Sequence, residues 1–482
     1  MYLKKLHISN FRCFKDYTIE FAPGVTVLFG KNGSGKTTLI HAIHKALSFL
    51  MYSEEVKEKV PKGKRAKVID VKTFRLQNPY PTVEGYSVFD CEYEGTKRMD
   101  YEININAQAV FGQSFPLEWN MTGVAPMFSL RKNGYRKEFI ELYEWMQNEA
   151  SPQQPLLAFY SDGFPHNTTL NKSKSTEKKK LEFHLKNSFP ELGYTDWNSE
   201  NGFTNVWIKR LGNKLNRLEL IPREIIYFTE QYKAGKIERG NYEKYLENSQ
   251  QELSECENEV EKITACLRKF SEGDKNIEVS MLRLGITDKT EVCIVTSDME
   301  RYGLSVLPAG YKRMFYIALD IAYRSILLSN GTSTDIPGVA IIDEIDLHLH
   351  PELEQVVLQR FMKTFPSVQF IVSTHSPLVL SGIETRDGKN RVLKMAPNAD
   401  SPEVWPNIHG IDYNQMLEEN MNVSKRKPEI ELLFQRAWDE VAAKKVEDAK
   451  KTVEELEAVT PPDQTELVKL RAVISRLEII GR

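Results

Sequence analysis

A chain of 482 residues, 41% hydrophobic and 27% charged, has room for two or three lobes and the composition of an ordinary globular protein. Its 64 basic and 67 acidic residues leave a formal charge of −3, which excludes a global attraction to nucleic acid and leaves only local patches for such contact. The five cysteines (Cys13, Cys91, Cys256, Cys266, Cys293) form no C-x-x-C pair, so a zinc ribbon and a disulfide framework are excluded and buried thiols are expected.

The chain opens with MYLKKLHISNFRCF, which alternates like a strand and lacks the unbroken apolar core of a signal peptide. No run reaches the ~18 apolar residues that span a bilayer. A cytoplasmic protein without a membrane partner is expected. Residues 19–30, IEFAPGVTVLFG, read as a strand, a Pro-Gly turn and a buried strand ending in glycine. GKNGSGKTTLIHAIHKAL follows, and Gly30, Gly35, Lys36 and Thr37 satisfy G-x-x-x-x-G-K-[ST]. In a loop of this kind the backbone N–H groups from Gly30 through Lys31, Asn32, Gly33, Ser34 and Gly35 curl around a phosphate. The next helix, with Leu39, Ile40, Ile43 and Leu47 on one face, presents its positive N-terminus. Lys36 is expected to reach the β- and γ-phosphates of ATP and Thr37 to offer its hydroxyl to Mg2+, with Thr38 completing the nucleotide-binding set.

Two lysine-rich runs, 57–72 and 171–180, read as solvated loops, with DNA contact as the alternative. Within NYEKYLENSQQELSECENEVEKITACLRKF, Leu246, Leu253, Val260 and Leu267 recur every seven residues, with Tyr242, Cys256, Ile263 and Phe270 as companions. Such a helix would be roughly 45 Å long. It either protrudes as a short coiled coil or lies on its own domain. Residues 277–307 read as strands.

The segment AIIDEIDLHLHP at 340–351 allows two readings. Val339–Ile342 suit a strand covered on both faces, with Asp343 at its carboxyl end facing a metal and Glu344 placed as general base toward an attacking water. Alternatively, Asp346, His348 and His350 are transition-metal ligands. That reading is weakened by Pro351 and the helical ELEQVVLQRFM, which make 346–351 a capping loop. Val368–Val372 then read as another strand, ending in Ser373, Thr374 and His375.

These segments, together with GLSVLPAGYKRMFYIALDIAYR at 303–324 and the opening LHISNFRCFKDYTIEF, resemble the ABC-type ATPase heads of the RecF and SMC group and the related AAA-like defence ATPases. The resemblance covers roughly 1–50 and 300–395. It implies an α/β fold, a RecA-like core with an N-terminal antiparallel β portion. It also implies that Asp343 and Glu344 form Walker B with the catalytic glutamate, that Asp346 lies in the D-loop, that His375 is the switch histidine, and that Arg12 and Gly310 contact nucleotide. The signature departs from Leu-Ser-x-Gly-Gln/Glu: Leu307, Pro308, Ala309, Gly310 and Tyr311 stand there, and the serine that would cover the γ-phosphate of a partner subunit is replaced. Slow hydrolysis is the expectation. LLAFYSDG at 156–163 resembles the strand that ends in the Q-loop, with Gln113 as another candidate.

After 395 the chain reads as packed helices broken by TPPDQT, without the D-x-D of a Toprim nuclease. The tail after GIDYNQMLEENM resembles the ATPase subunit of Septu-type and retron-associated anti-phage systems, whose partner is a separate HNH nuclease. The expected division is 1–190 and 276–395 as the two lobes of the head, 191–275 as a helical insertion, and 396–482 as a partner-binding tail. The implied function is an ATPase that dimerises around nucleotide, or assembles further, and regulates that nuclease. Alternatives are a RecF-like repair ATPase acting on DNA and a nucleotide-stabilised scaffold with little turnover.

Overall fold

In the computed structural model the described residues are 1–52, 102–112, 114–124, 129–148, 154–164, 190–197, 204–285, 291–405, 427–461 and 463–480, with short pieces between 56 and 97. The lysine-rich runs, Gln113, Cys91 and the segment 410–421 lie wholly or largely outside them. The head begins with β1 (Tyr2–Phe11), β2 (Phe14–Glu20), β3 (Val25–Gly30) and α1 (Lys36–Leu47). It continues through β4 (Glu102–Phe111), β5 (Phe115–Val124), β6 (Ser129–Leu130), α2 (Arg136–Asn148) and β7 (Leu156–Tyr160). Next come the long helices α3 (Thr204–Lys233) and α4 (Arg239–Ser271), then β8 (Val279–Leu284), β9 (Val292–Thr296) and β10 (Arg301–Gly303). The last head elements are α5 (Ala309–Leu328), β11 (Gly338–Ile342), α6 (Pro351–Thr364), β12 (Val368–Thr374), α7 (Pro377–Ser381), β13 (Asn390–Met395) and β14 (Glu403–Val404).

Two hydrophobic patterns produce two kinds of sheet. Where apolar and polar residues alternate, as in β4 with Ile103, Ile105, Ala107, Ala109 and Phe111 buried, the strands pair antiparallel in the order β6-β5-β4-β1-β2. A register shift between Leu3 and Lys5 brings Leu3 and Leu6, three apart, to the same buried face. Where the run is wholly or mostly apolar, as in β7, β11 and β12, every residue is buried. These strands make a central sheet in the order β7-β11-β12-β3-β13-β14, parallel except for β14 at its edge. β8, β9 and β10 form a third, antiparallel sheet. A parallel core beside an antiparallel sheet that begins at the N-terminus is the α/β arrangement that the motifs implied.

The heptad helix answers both expectations by halves. In α4 the residues from Arg239 to Glu255 are exposed or half-buried apart from Ser249, and they pair with α3 through Tyr232–Tyr242 and Phe228–Tyr245 ring contacts and a bidentate Arg217–Glu252 pair. From Cys256 onward the helix enters the core: Phe270 packs on Phe315 of α5 and Phe361 of α6. Just beyond its end, buried Asp274 accepts from Tyr311 Oη at 3.0 Å and from Arg360 Nη1 at 2.6 Å. A second buried carboxylate, Asp320, accepts from Tyr160 Oη, Trp207 Nε1 and Arg324 Nε at 2.6–2.8 Å. It joins β7, α3 and α5 at one point, and removing one partner of such a buried charge costs about 3–5 kcal/mol.

The compact head runs to residue 409, past the expected 395, because β14 and Trp405 return to the central sheet: Leu393 pairs with Val404, and Trp405 packs on Phe29. Residues 410–482 form a second unit. In it α8 (Pro428–Ala442), α9 (Val446–Val459) and α10 (Thr465–Ile480) share a core of Phe434, Ala437, Val453, Leu456, Leu470 and their neighbours. No helix of the described residues is long and apolar enough to cross a membrane.

Candidate nucleotide site

Sheet register brings the predicted residues together. Tyr160 lies opposite Ile342, Ile342 opposite Val372, and Thr374 opposite Phe29, so Ser161, Asp343, Ser373 to His375 and Gly30 emerge at the same carboxyl edge. At that edge Gly30 passes so close to β13 that a Cβ would stand 2.4 Å from Met395 O, and Gly33 and Gly35 have φ of 78° and 91°. Both conformations are left-handed and suit glycine. Lys31, Asn32 and Gly33 are exposed, and Lys36 Nζ donates back to Gly30 O at 2.9 Å and Lys31 O at 3.2 Å. Burial lowers the pKa of Lys36, opposed by the nearby carboxylates of Asp343, Glu344 and Asp346.

The loop fits an anion. Ser34 Oγ is buried without a hydrogen-bond partner among the described residues, and the first turn of α1 carries no acidic side chain to offset its positive end. The Thr37 side chain is exposed beside it. Across the edge, Asp343 is buried and its Oδ1 accepts from Ser373 Oγ, while Glu344 N donates to the same hydroxyl at 2.8 Å. Glu344 itself is half-buried at φ 48°. Burial raises its pKa, helped by the charges of Asp343 and Asp162, with His375 acting in the opposite direction. Such a carboxylate holds its proton more readily than an ordinary glutamate, a property that suits proton transfer.

The rival metal reading meets a different geometry. His350 caps α6, its Nδ1 accepting from Glu352 N at 3.5 Å; His348 is exposed at φ 65°; and Asp346 Oδ1 accepts from Thr374 Oγ1 at 2.6 Å and His375 N at 3.3 Å. Among the described residues no group of three or more His, Cys, Asp or Glu is placed to hold a metal ion.

With this geometry in view, the AAA ATPase domain family matches residues 1–380. The chain belongs to that family. It is 26% identical over 394 residues to the Retron Vc95 probable ATPase of Vibrio cholerae serotype O1 biovar El Tor, covering 76% of this chain and 68% of that one. It is 25% identical over 506 aligned positions to the Retron Ec83 probable ATPase of Escherichia coli, covering 98% and 86%. A shorter stretch of 90 residues is 38% identical to Septu protein PtuA of Bacillus mycoides (strain KBAB4), 19% of this chain and 12% of that protein.

Several residues of this AAA ATPase-family chain have partners or surroundings that the motifs did not announce. Arg12, beside the phosphate loop in the β1–β2 turn, pairs through Nε with Asp90 at 3.0 Å, an aspartate also 3.3 Å from Lys45. Cys13 corrects the expectation of buried thiols: it is exposed in the turn between β1 and β2, and its Sγ would lie 3.2 Å from a Cβ on Gly35. Cys256, Cys266 and Cys293 are buried. Pro308 and Ala309 are exposed at the start of α5, but Gly310 is buried, and a Cβ there would come within 2.6 Å of His348 O. Gly310 is thus required by packing inside one subunit. The motifs missed Ser373, which holds both Asp343 and Glu344, and Arg313, a buried guanidinium three residues past Gly310. Nothing in the sequence marked it out from its neighbour Lys312, both standing just before the largely apolar MFYIALDIAY.

Proposed function

We propose that this chain binds and hydrolyses ATP as the ATPase subunit of an anti-phage defence complex, closing around nucleotide as a homodimer or higher oligomer and regulating a separate HNH-type nuclease. The observation that carries it is the meeting of the Lys36 loop with Asp343 and Glu344 at one sheet edge, in a chain similar along 98% of its length to the retron Ec83 probable ATPase. The backbone from Gly30 to Thr38 and the Lys36 ammonium hold the phosphates. Thr37 and Asp343 would hold Mg2+, which when bound would neutralise charge developing on the phosphate oxygens. Glu344 takes a proton from the attacking water, and His375, whose backbone N–H donates to Asp346, reads the γ-phosphate.

A second reading, a scaffold kept assembled by bound nucleotide, is favoured by Pro308, which offers neither hydroxyl nor N–H at the signature. Light scattering with and without ATP, phosphate release, and recovery of the nuclease with a tagged chain test both. Glu344→Gln is expected to keep ATP, lose turnover and accumulate as the ATP-bound oligomer. Rapid turnover by wild type would remove the scaffold, and a Glu344→Gln chain that stays monomeric in ATP would remove the proposed assembly.

A further inference from the structure

The backbone of Glu344 is held more tightly than its place in a loop requires. Its φ of 48° is one that L side chains rarely adopt. Its N–H is taken by Ser373 Oγ at 2.8 Å. On the other side stands Arg313, in the first turns of α5 and 2% exposed. Its Nη2 donates to Asp343 O at 2.7 Å and Glu344 O at 3.2 Å, the carbonyls on either side of the Glu344 residue. The same nitrogen reaches Ser161 O at 3.4 Å, and Nη1 donates to Asp162 O at 3.0 Å and Phe164 O at 2.8 Å. All five acceptors are backbone carbonyls. A planar fork with five donors meets carbonyls from two loops in one fixed geometry, which an ammonium with three rotating donors does not impose. The loop it gathers from the other side, 161–164, carries Asp162, whose charge acts on Glu344.

We propose that Arg313 is a positioning residue for ATP hydrolysis: its guanidinium fixes the two peptides flanking Glu344 and the loop bearing Asp162, so that the carboxylate is set from the helix that begins at the signature. The inference rests on the reading of Glu344 as general base. A fork lost here leaves the phosphate loop untouched, because none of the five carbonyls belongs to residues 30–38. The effect should therefore fall on kcat and spare nucleotide affinity.

Phosphate release by Arg313→Lys and Arg313→Gln, with ATP affinity by calorimetry and thermal unfolding alongside, tests it. The expected result is a kcat lower by about 10²-fold in both, with ATP Kd within about twofold of wild type, since a misplacement near 1 Å is enough for such a loss. In the Glu344→Gln background, Arg313→Lys should cause no further loss. Wild-type kcat in Arg313→Lys would overturn the proposal. So would loss of ATP affinity in step with kcat, or unfolding of both variants at the assay temperature, which would make Arg313 a residue of the fold alone. Full turnover by Glu344→Gln would instead remove the reading of Glu344 while leaving the effect of Arg313 on kcat to be explained by Asp343.

Discussion

Gly310→Ala adds one methyl group where the helix that starts at the signature meets the loop after Glu344. The new Cβ would lie 2.6 Å from His348 O and 3.2 Å from Leu349 Cδ2. A close carbon–oxygen contact is about 3.3 Å, so the carbonyl has to retreat by roughly 0.7 Å. It is not free to do so: His348 sits at φ 65° between the turns Leu347 N to Glu344 O, 3.1 Å, and Leu349 N to Asp346 O, 3.0 Å. Overpacking of a rigid contact costs about 1–3 kcal/mol, and a shift of this size passed to Glu344 lowers the rate by up to about 10²-fold. Thermal unfolding should show a melting temperature lower by a few degrees, and steady-state phosphate release the loss of turnover. Gly240→Ala is the control: nothing lies within 4 Å of a Cβ there, the residue is helical, and a neutral or slightly stabilising effect is expected. If Gly310→Ala melted and turned over like wild type, the helix would not press on His348 and the packing argument would fail. If it melted like wild type and bound ATP but no longer dimerised, Gly310 would act on a partner subunit's nucleotide instead.

Lys36→Ala should abolish tight ATP binding in calorimetry while the fold survives, because it removes the ammonium that the loop encloses; unchanged affinity would sink the phosphate-loop assignment. Pro308→Ser places a favoured N-cap residue at an exposed helix start, so stability should hold or rise, and the restored hydroxyl should raise the rate of phosphate release by up to about 10²-fold. An unchanged rate would mean that 307–311 does not cover a γ-phosphate. His44 is buried on Phe159 and Trp197, and burial, with the nearby charges of His41 and Lys45, lowers its pKa to about 3 despite Glu84 Oε2 at 3.4 Å. An unfolded chain takes up this proton below about pH 6.5 and the folded one does not, so stability is lost as the pH falls from there toward 3, about 2 kcal/mol of it by pH 5. Urea unfolding at pH 7 and pH 5 should show that loss, and His44→Gln should flatten it; an equal pH dependence in the variant would place the effect elsewhere.

The parts of the site that could be read in advance are those encoded within a few residues. Gly30 to Thr37 announce a loop because their spacing is itself the geometry, and Asp343 and Glu344 stand out because a short apolar strand ends in them. Long-range partners left no such trace. Arg313 lies 149–152 residues from the carbonyls of 161–164, and nothing in the residue type says that a guanidinium will choose backbone over carboxylate. The ion pair of Arg12 with Asp90, 78 residues away, was equally invisible in the chain. The even spacing of Leu246, Leu253, Val260 and Leu267 showed that α4 is a helix and gave no sign that only its second half enters the core, since the heptad continues unchanged across the boundary. Tyr311 likewise read as a departure from a motif, whereas the fold uses it as a hydrogen-bond donor to Asp274.

The division of α4 makes it a beam clamped at one end. Its free length, residues 239–255, is about 25 Å at 1.5 Å per residue, so a sideways displacement of about 5 Å at the tip turns the clamped root by about 11°. Phe270 near the far end of the clamped half, and Asp274 just beyond it, between them touch Phe315, Tyr311, Phe361 and Arg360. Two of those residues belong to α5 and two to α6, the helices that flank the strand ending in Asp343. A torque on the beam would therefore reach α5 and α6 through the clamped half, whose far end is shared between them.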